Sequence, residues 1–557
     1  MKKYILGLTA AIAIVTPSCE SLEVAPTGFL ASEVAYSSVD HLDMVVKNFY
    51  STFHAVADIE TGKGLTAIDD GVSDLLKSTW YNVDGGAFNK FFFLDNYLTV
   101  ESNFRSNWGT MYTYIRIINQ FFDDYNEGTI ALPAEEVAPR LAEARFIRAF
   151  AYHQLVTRHG GVILRDEVGG TDDHRQNNKS RMSTADSWEY VISEYKKAAA
   201  DLPDAWPAAD NGRITKGAAY GMIARAALYA ERWNEAIEAA NEVIGSSQYA
   251  LLPGTTVTDY NKIFELPANK ELILPVYYEV GNKQHSWNTW IAPNTDAVLA
   301  TGAEAGAAIS PTEEYVSQFD IKVNGTWESF DWDNLAKYGN DPYANRDPRF
   351  YASILYNGCT WKGRKLEFYE GGSDGFMPYT GLGSRDNVHY TCTGYLIRKF
   401  LTTKEYTYTY TLSDQLWPEM RLAEVYLIRS EAYARTNKWS EAYTDLNTIR
   451  GRVGLSAKAQ KSNWTDYLVD LQKERICELG MEGHRYDDIM RWNIHQQVLN
   501  GQRVHGVKIT KVGDNLNYEV VECDLQDRKF PVKYSIFPIP YSEIQANPLC
   551  EQNELWK

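Results

Sequence analysis

The clearest pattern along the chain is a pair of similar segments in which apolar residues recur at helical spacing. The first runs over small and apolar residues at 223–230, passes through a short polar turn and resumes at Trp233 with an apolar stripe that ends at Ile244. The second runs over 425–434 and resumes at Trp439. Alanines in the leading half of each segment permit close packing of the half that follows. Each segment therefore predicts an antiparallel helix pair, and their recurrence predicts a tetratricopeptide-like repeat.

Two other stretches show the same helical period. Over 141–156, apolar residues recur about every 3.6 positions. Over 188–202, an apolar stripe follows Ser183 and Thr184, either of which is a suitable N-cap, and Pro203 ends the helix. These stretches extend the predicted helical scaffold on the N-terminal side of the first repeat.

The remaining sequence has a different character, because residues 251–417 are rich in Gly, Pro, Asn, Trp and Tyr and hold few helical periods. We predict a mainly α fold: a helical-repeat scaffold over about 40–250 and 418–500, a large irregular and partly β insertion over about 251–417, and a C-terminal segment over 500–557. In such an architecture the scaffold supplies rigidity and the loops supply the binding surface. Strands are predicted at Leu272–Tyr278, Thr407–Thr411, Val504–Val512 and Tyr518–Val521.

The first residues have the pattern of a targeting signal and are set apart from the fold. Two lysines precede an apolar stretch at 4–15 that is too short to span a bilayer, and Ser18 then precedes Cys19. A small residue before a cysteine at the end of an apolar segment is typical of bacterial lipoprotein signals. We predict that residues 1–18 are removed and that Cys19 carries the lipid anchor of a body spanning 19–557. An ordinary secretory signal with an incidental Cys19 is the alternative.

The charge of the chain excludes two classes of partner. There are 55 basic and 73 acidic residues, which give a net charge of −18, and no basic run follows the first three residues. Nucleic acids and anionic lipid surfaces both attract clustered Lys and Arg. We therefore predict no nucleic-acid binding and no docking of the body on anionic lipid.

The cysteines predict neither a zinc site nor a disulfide framework. Beyond Cys19 the chain holds an odd number of cysteines, and none of them shows Cys-x-x-Cys spacing. A single bridge, for instance between Cys359 and Cys392, is compatible with an oxidising compartment.

Motifs for catalysis are missing from the sequence. It contains no phosphate-binding loop, no dinucleotide fingerprint and no His-Glu-x-x-His pair. Residues 371–375 satisfy the bare Gly-x-Ser-x-Gly pattern, but Pro378 and Gly381 follow where that motif requires a helix. Adjacent acids such as Asp69 and Asp70 do not face each other across a sugar, as glycosidase carboxylates do. We predict no enzyme, no catalytic residue, no metal and no cofactor.

Several short motifs occur in a characteristic order along the chain. They are Ala142–Phe150 with Gly160-Gly161-Val162, Gly212–Ala219, Asp347–Phe350, Gly394–Lys399, Arg421–Tyr426, Glu474–Trp492, Pro538–Pro540 and Asn547–Asn553. Each motif is weak alone, but together they resemble the SusD/RagB family of outer-membrane nutrient-binding lipoproteins over nearly the whole chain.

The resemblance implies a tetratricopeptide-like scaffold, a lipid-anchored position at the outer membrane and a role in nutrient uptake. It implies that the protein captures oligosaccharides at the cell surface and delivers them to a SusC-like TonB-dependent transporter, on which it sits as a lid. A minority branch of the family, of the RagB type, handles oligopeptides instead, and this is the alternative function. The resemblance also implies that four charged residues near the end are structural, as pairs that hold the last helix against the scaffold: Glu482, Arg485, Asp487 and Arg491.

A glycan site needs aromatic platforms beside polar side chains, because sugar rings have apolar faces and hydroxyl rims. One segment with this mix follows the first acidic pair of the chain, and another lies inside the insertion. In the family the ligand face is built from loops in these two parts of the chain. We predict ligand contacts from Asp70, Trp80, Tyr81, Asn82, Trp287 and Trp290, with Trp327, Trp332 and Trp361 in reserve. For each tryptophan the alternative is a core ring beneath a loop.

Overall fold

The computed structural model of the chain describes residues 32–57, 68–79, 86–168, 178–296, 306–375, 390–402 and 413–557. Within these ranges the helices are α1 Ser32–Ala35, α2 Val39–Phe49, α3 Ser51–His54, α4 Ile68–Gly71, α5 Gly86–Phe93, α6 Trp108–Asn126, α7 Ala134–His159, α8 Thr184–Asp201, α9 Lys216–Tyr229, α10 Trp233–Ile244, α11 Val257–Glu265, α12 Trp287–Ile291, α13 Glu313–Val316, α14 Pro348–Ser353, α15 Leu422–Arg435, α16 Trp439–Arg452, α17 Trp464–Leu479, α18 Arg485–Arg491, α19 His495–Val498 and α20 Tyr541–Ala546. The strands are β1 Leu76–Ser78, β2 Leu272–Val276, β3 Ile309–Pro311, β4 Ile321–Val323, β5 Thr326–Glu328, β6 Ile354–Tyr356, β7 Thr360–Trp361, β8 Arg364–Lys365, β9 Tyr395–Ile397, β10 Trp417–Arg421, β11 His505–Val512 and β12 Asn515–Glu522. Several predicted features lie outside the described residues: Cys19, Trp80, Tyr81, Asn82 and the strand Thr407–Thr411.

Six helices form a continuous layer. Along α7, α8, α9, α10, α15 and α16, each helix packs against the next. The contact between α10 and α15 joins the two repeats directly, although the whole insertion separates them in sequence. Helix α6 packs on α7 at one end of the layer, and α17 packs on α15 at the other. This arrangement confirms the predicted mainly α, tetratricopeptide-like scaffold.

The two repeats share the geometry of their turns. In the first, the backbone N–H of Arg232 donates to the carbonyl oxygen of Ala227 at 2.8 Å, and Glu231 adopts a left-handed φ of 58°. Trp233 then opens α10. The corresponding residues of the second repeat are Tyr433, which accepts from Lys438 at 2.8 Å, Asn437 with a φ of 59°, and Trp439. A left-handed residue thus closes the leading helix of each pair, which is a common end for an α-helix.

Small side chains let α9 lie deep in this layer. Its alanines are buried, and a Cβ added at Gly221 would lie 3.2 Å from the side chain of Met420 in β10. Inside this contact the guanidinium of Arg225 donates to both carboxylate oxygens of Glu424 in α15, at 2.8 and 2.7 Å. Because a bidentate pair requires a narrow range of distances and angles between the two side chains, it fixes the position of the first repeat relative to the second.

The described strands of the insertion form short antiparallel pairs: β2 with β10, β4 with β5, β6 with β9 and β7 with β8, while β3 pairs with β1 from the N-terminal part of the chain. Strand β2 confirms most of the strand predicted at Leu272–Tyr278. Because β10 leads directly into α15, the β2–β10 pair fastens both ends of the insertion to the scaffold. The hairpin β11–β12 confirms the strands predicted near the C-terminus, with β12 beginning earlier than predicted, at Asn515.

The cysteines beyond Cys19 are buried free thiols, so the bridge considered between Cys359 and Cys392 is not formed. The two residues face different surroundings. Cys359 lies in the turn between β6 and β7, where its N–H donates to the carbonyl of Tyr356 at 3.1 Å, whereas the Cys392 thiol faces the carbonyl of Ser78 in β1 at 4.0 Å. Among the helices of the described ranges, none combines the length and the apolar character needed to cross a membrane.

Candidate functional site

Two segments that the sequence predicts for ligand binding meet at one backbone junction. Beyond the β1–β3 ladder, the N–H of Thr79 donates to the carbonyl of Ala308 at 3.1 Å. The N–H of Ala308 in turn donates to the carbonyl of Trp290 in α12, at 2.9 Å. We call Thr79, Ala308 and Trp290 the Ala308 junction. Since Trp80 directly follows Thr79 in the chain, the junction holds the starting point of the first predicted segment beside the second.

Trp287 anchors α12 in the core. Its side chain is 0% exposed, its indole N–H donates to the carbonyl of Lys399 at 3.1 Å, and its ring meets the edge of Phe400 with centroids 5.8 Å apart. The sequence predicts Trp287 as a ligand contact, but this prediction is wrong for the folded chain, because no part of the ring is accessible to a ligand. The reason is its position one helical turn before Ile291, which places both side chains on the buried side of α12.

Trp290 is only partly buried against the core and keeps part of its ring accessible. Close behind it, Asn294 begins a 3-10 turn that ends at Asp296. The Asn294 side chain is buried, and its Oδ1 finds no hydrogen-bond donor among the described residues. An unsatisfied buried acceptor is costly, and a ligand hydroxyl brought to it would remove that cost. Asn294 was not predicted from the sequence, because an isolated asparagine in a loop carries no motif.

An arginine on the insertion links two loops near this turn. Arg364 in β8 donates to Asp374 at 2.8 Å and to Asp296 at 3.2 Å. One third of the Arg364 side chain is exposed, whereas Asp374 is buried. Asp374 belongs to the Gly-x-Ser-x-Gly stretch, so in this structure that stretch positions an acceptor for Arg364. Neither Arg364 nor Asp296 was predicted, since only the fold brings them together.

Asp70 lies inside the protein. It is 0% exposed, and its Oδ2 accepts the backbone N–H of Gly483 at 3.1 Å. Burial, and more weakly the charge of neighbouring Asp69, raises the pKa of Asp70 to about 7. As folded, Asp70 is therefore a structural contact between α4 and the loop before α18, and its predicted ligand contact would require a different conformation.

Two of the three reserve tryptophans use their indole N–H groups within the fold. Trp327 donates to the carbonyl of Gly454 at 2.9 Å, and Trp332 donates to the carboxylate of Glu313 at 2.8 Å. Trp361 is buried. Trp327 and Trp332 are partly exposed, but both lie apart in sequence from the Ala308 junction.

The charged motif near the end of the chain is a buried network. Arg421 donates to Glu478 and to Glu482, both at 2.6 Å, and these side chains are at most 1% exposed. Burial acts to raise the pKa of Glu482, but the charges of Arg421 and Lys399 outweigh it and lower that pKa. Arg491 of α18 donates to Glu431 of α15 at 2.5 Å. These pairs support the predicted structural role of Glu482 and Arg491.

Arg485 and Asp487 complete that motif and differ from each other. Arg485 donates through two nitrogens to Asp74, each at 2.9 Å, and so ties α18 to the segment before β1. Asp487 makes no side-chain hydrogen bond or ion pair within the described residues. The prediction of paired charges therefore holds for Arg485 and fails for Asp487.

Comparison with known sequences identifies the family. The family model described as the SusD family matches residues 270–556, which is more than half of the chain. A second model, described as starch-binding and associating with the outer membrane, matches residues 55–228. The chain belongs to the SusD family. The SusD match includes α15 to α18 and the charge network, and the second match includes all but the last residue of the first repeat's leading helix, α9.

Individual members of the family align along most of the chain. SusD-like protein P25 of Formosa agariphila is 23% identical over 96% of this chain and 95% of its own length. The starch-binding protein SusD of Bacteroides thetaiotaomicron is 24% identical over 81% of this chain and 79% of its own. The crystal structure of a SusD-like protein from Bacteroides fragilis superposes with a TM-score of 0.79 and 26% identity, covering 93% of this chain and 97% of that one.

Proposed function

We propose that this SusD-family chain is a glycan-binding protein of the outer membrane that captures oligosaccharides at the cell surface. The observation that carries the proposal is the Ala308 junction, which holds Thr79, the residue before Trp80, beside Trp290. A rigid helical scaffold that presents aromatic loops is suited to binding, and the name of one relative, the starch-binding protein SusD, describes binding of a glycan.

The chemistry beside the junction suits sugar. The accessible part of the Trp290 ring offers a flat apolar surface for the C–H face of a pyranose. The buried Oδ1 of Asn294 is an acceptor. Asp296, two residues further along the same turn, accepts from the partly exposed guanidinium of Arg364. We propose Trp80, Tyr81, Asn82 and Trp290 as the aromatic and amide contacts of the glycan face, with Asn294 and Arg364 at its polar edge.

The first experiment on this proposal is calorimetric titration of the mature body with plant, host and microbial oligosaccharides and with a peptide digest. We expect heat from one class of glycan and none from the peptides. Binding to peptides alone would assign the chain to the RagB type of ligand and refute the glycan proposal.

We further propose that Cys19 is lipidated and that the captured glycan passes to a SusC-like TonB-dependent transporter. The signal pattern at 1–19 and the family support this proposal. A Cys19→Ala variant expressed in the native host should lose labelled palmitate and leave the membrane fraction. A tagged wild-type chain should co-purify with a β-barrel transporter from solubilised outer membranes, and its recovery without any barrel would contradict the pairing.

A further inference from the structure

A separate cleft opens among the scaffold helices and shares no residue with the Ala308 junction. It is formed by the end of α7, the start of α8, the end of α9, helix α18 and residues 535–537. Its volume is about 240 Å³, which is below the range usual for drug-sized ligands, so it admits one small molecule. Its walls include Val156, Trp188, Tyr229, Tyr486, Met490 and Phe537.

One side of the cleft is an aromatic corner. The rings of Trp188 and Tyr229 meet edge to face with centroids 6.1 Å apart. Tyr229 is partly exposed, and its hydroxyl has no hydrogen-bond partner in the part of the chain that the structure describes. The corner thus combines apolar ring surface with an unused hydroxyl group.

The lining of the cleft also includes guanidinium donors that the fold leaves unused. Arg105 is 5% exposed and stacks 3.8 Å above the centre of the Tyr486 ring. One of its nitrogens pairs with Asp69, but its Nε and Nη1 have no acceptor among the described residues. Arg158, which also lines the cleft, shares the same carboxylate at 3.4 Å. Two guanidinium groups therefore share the Asp69 carboxylate, and Arg158 also donates to the side chain of Gln154 at 2.5 Å.

Asp487 supplies the missing negative charge without forming a bond. Asp487 also lines the cleft, and its carboxylate has no hydrogen bond within the described ranges. Together, Arg105 and Arg158 are balanced by Asp69 and Asp487. Arg491, at the rim, already donates to Glu431 and Asp488.

The balance of positive and negative groups in the cleft favours a neutral ligand over a charged one. An anion would meet the unpaired carboxylate of Asp487. A cation would find the ring faces of Tyr486 and Phe537 already covered by the guanidinium of Arg105. A neutral molecule with adjacent hydroxyl groups satisfies both sets of unused groups, because each hydroxyl both donates and accepts.

We propose that this cleft is a second ligand site, which binds one neutral polyhydroxylated ring such as a single hexose. Asp487 accepts from two adjacent ring hydroxyls, Arg105 donates to a ring oxygen, and the Tyr229 hydroxyl completes the rim. The ring lies against Trp188. The site is distinct from the oligosaccharide face, so either one can exist without the other.

Saturation-transfer NMR of the mature chain with neutral hexoses tests the proposal. A Trp80→Ala, Trp290→Ala background removes aromatic contacts of the glycan face and leaves the cleft intact. We expect at least one neutral hexose to bind there with a Kd on the order of 1 mM. Asp487→Asn should weaken this binding about 10- to 100-fold, and Tyr229→Phe about 2- to 10-fold. Both variants should fold, since the replaced groups make no hydrogen bond.

The outcomes separate the two proposals. Hexose binding that persists in the glycan-face background and is lost in Asp487→Asn supports the cleft, even if every oligosaccharide fails in calorimetry. Three results would overturn it: no transfer from any neutral hexose to folded protein, equal binding in wild type and Asp487→Asn, or binding of an amine or a carboxylate only. A crystal soaked with the binding hexose should show it against Trp188.

Discussion

The backbone N–H of Thr79 donates to the carbonyl oxygen of Ala308 at 3.1 Å. This bond extends the β1–β3 ladder by one step and places the chain that enters Trp80 beside the chain that leaves α12. Ala308 also donates its N–H to the carbonyl of Trp290, so a single residue is bonded both to Thr79, which precedes Trp80, and to α12. The attachment of Thr79 to α12 reduces the ordering cost that a ligand reaching both would otherwise meet.

Replacement of Trp287 should act on stability. Its ring is fully buried against Phe400, so Trp287→Ala should lower the free energy of unfolding by about 3–5 kcal/mol. Trp290→Ala, at a partly exposed ring in the same helix, should cost much less. Urea unfolding of both variants checks the difference, and equal midpoints would contradict the assignment of Trp287 to the core.

The buried charge network should be sensitive to the loss of one cation. Arg421→Met leaves Glu478 and Glu482 buried with fewer partners, so we expect a loss of about 3–5 kcal/mol in the free energy of unfolding. Arg503, which pairs with Glu522 on the surface, provides the control. Arg503→Met should leave the urea midpoint unchanged, and a similar effect of both variants would argue against the network as a structural element.

The matched turns of the two repeats allow a paired test of backbone strain. Glu231 has a left-handed φ of 58°, which glycine adopts more readily. Glu231→Gly should raise the free energy of unfolding by about 0.5–1 kcal/mol. Asn437→Gly, at the equivalent position with φ 59°, should raise the free energy of unfolding by less, because asparagine already tolerates the left-handed region. Thermal unfolding compares the two, and a destabilised Glu231→Gly protein would contradict the prediction.

Asp70 should make stability depend on pH in a definite direction. Burial raises its pKa from 3.8 to about 7, so the folded protein holds this proton more tightly than the unfolded chain does. The contribution of Asp70 to the free energy of unfolding is therefore fully present at low pH and is lost as pH rises from about 4 to about 7. Asp70→Asn, which keeps an acceptor for Gly483, should exceed wild type by at most about 4 kcal/mol above pH 7, and this advantage should vanish near pH 4. Thermal melts across this range test it, and an advantage independent of pH would refute it.

The helical scaffold could be predicted because its signals are local. The apolar period and the tryptophan that opens each second helix sit within one repeat, and Trp233 and Trp439 are found where the pattern predicts. The contact between Arg225 and Glu424 could not be predicted, since it depends on how two distant repeats pack. The short strands of the insertion were harder to predict, because the strands they pair with lie far away in sequence.

The structure corrects the predicted site at Trp287 and Asp70, which are buried, whereas the contacts at Trp80, Tyr81 and Asn82 stay predictions. Composition indicated the two aromatic regions, and the Ala308 junction brings Thr79, just before the first of them, against α12. Composition could not distinguish Trp287 from Trp290, because their difference in burial arises from which side of a single helical turn faces the core. Asn294 and Arg364 carry no local pattern, and Asp487 is distinguished from its charged neighbours only by the absence of a partner within the described structure.

The most direct test of the glycan face is calorimetry with the tightest-binding oligosaccharide on Trp80→Ala, Trp290→Ala and a control. Tyr541→Ala, at an exposed aromatic residue of α20, is the control. If the Ala308 junction positions the face, each tryptophan variant should weaken binding about 10-fold or more while keeping the wild-type melting temperature, and the control should bind normally. Wild-type affinity in both tryptophan variants would contradict the account and move the glycan site elsewhere on the protein.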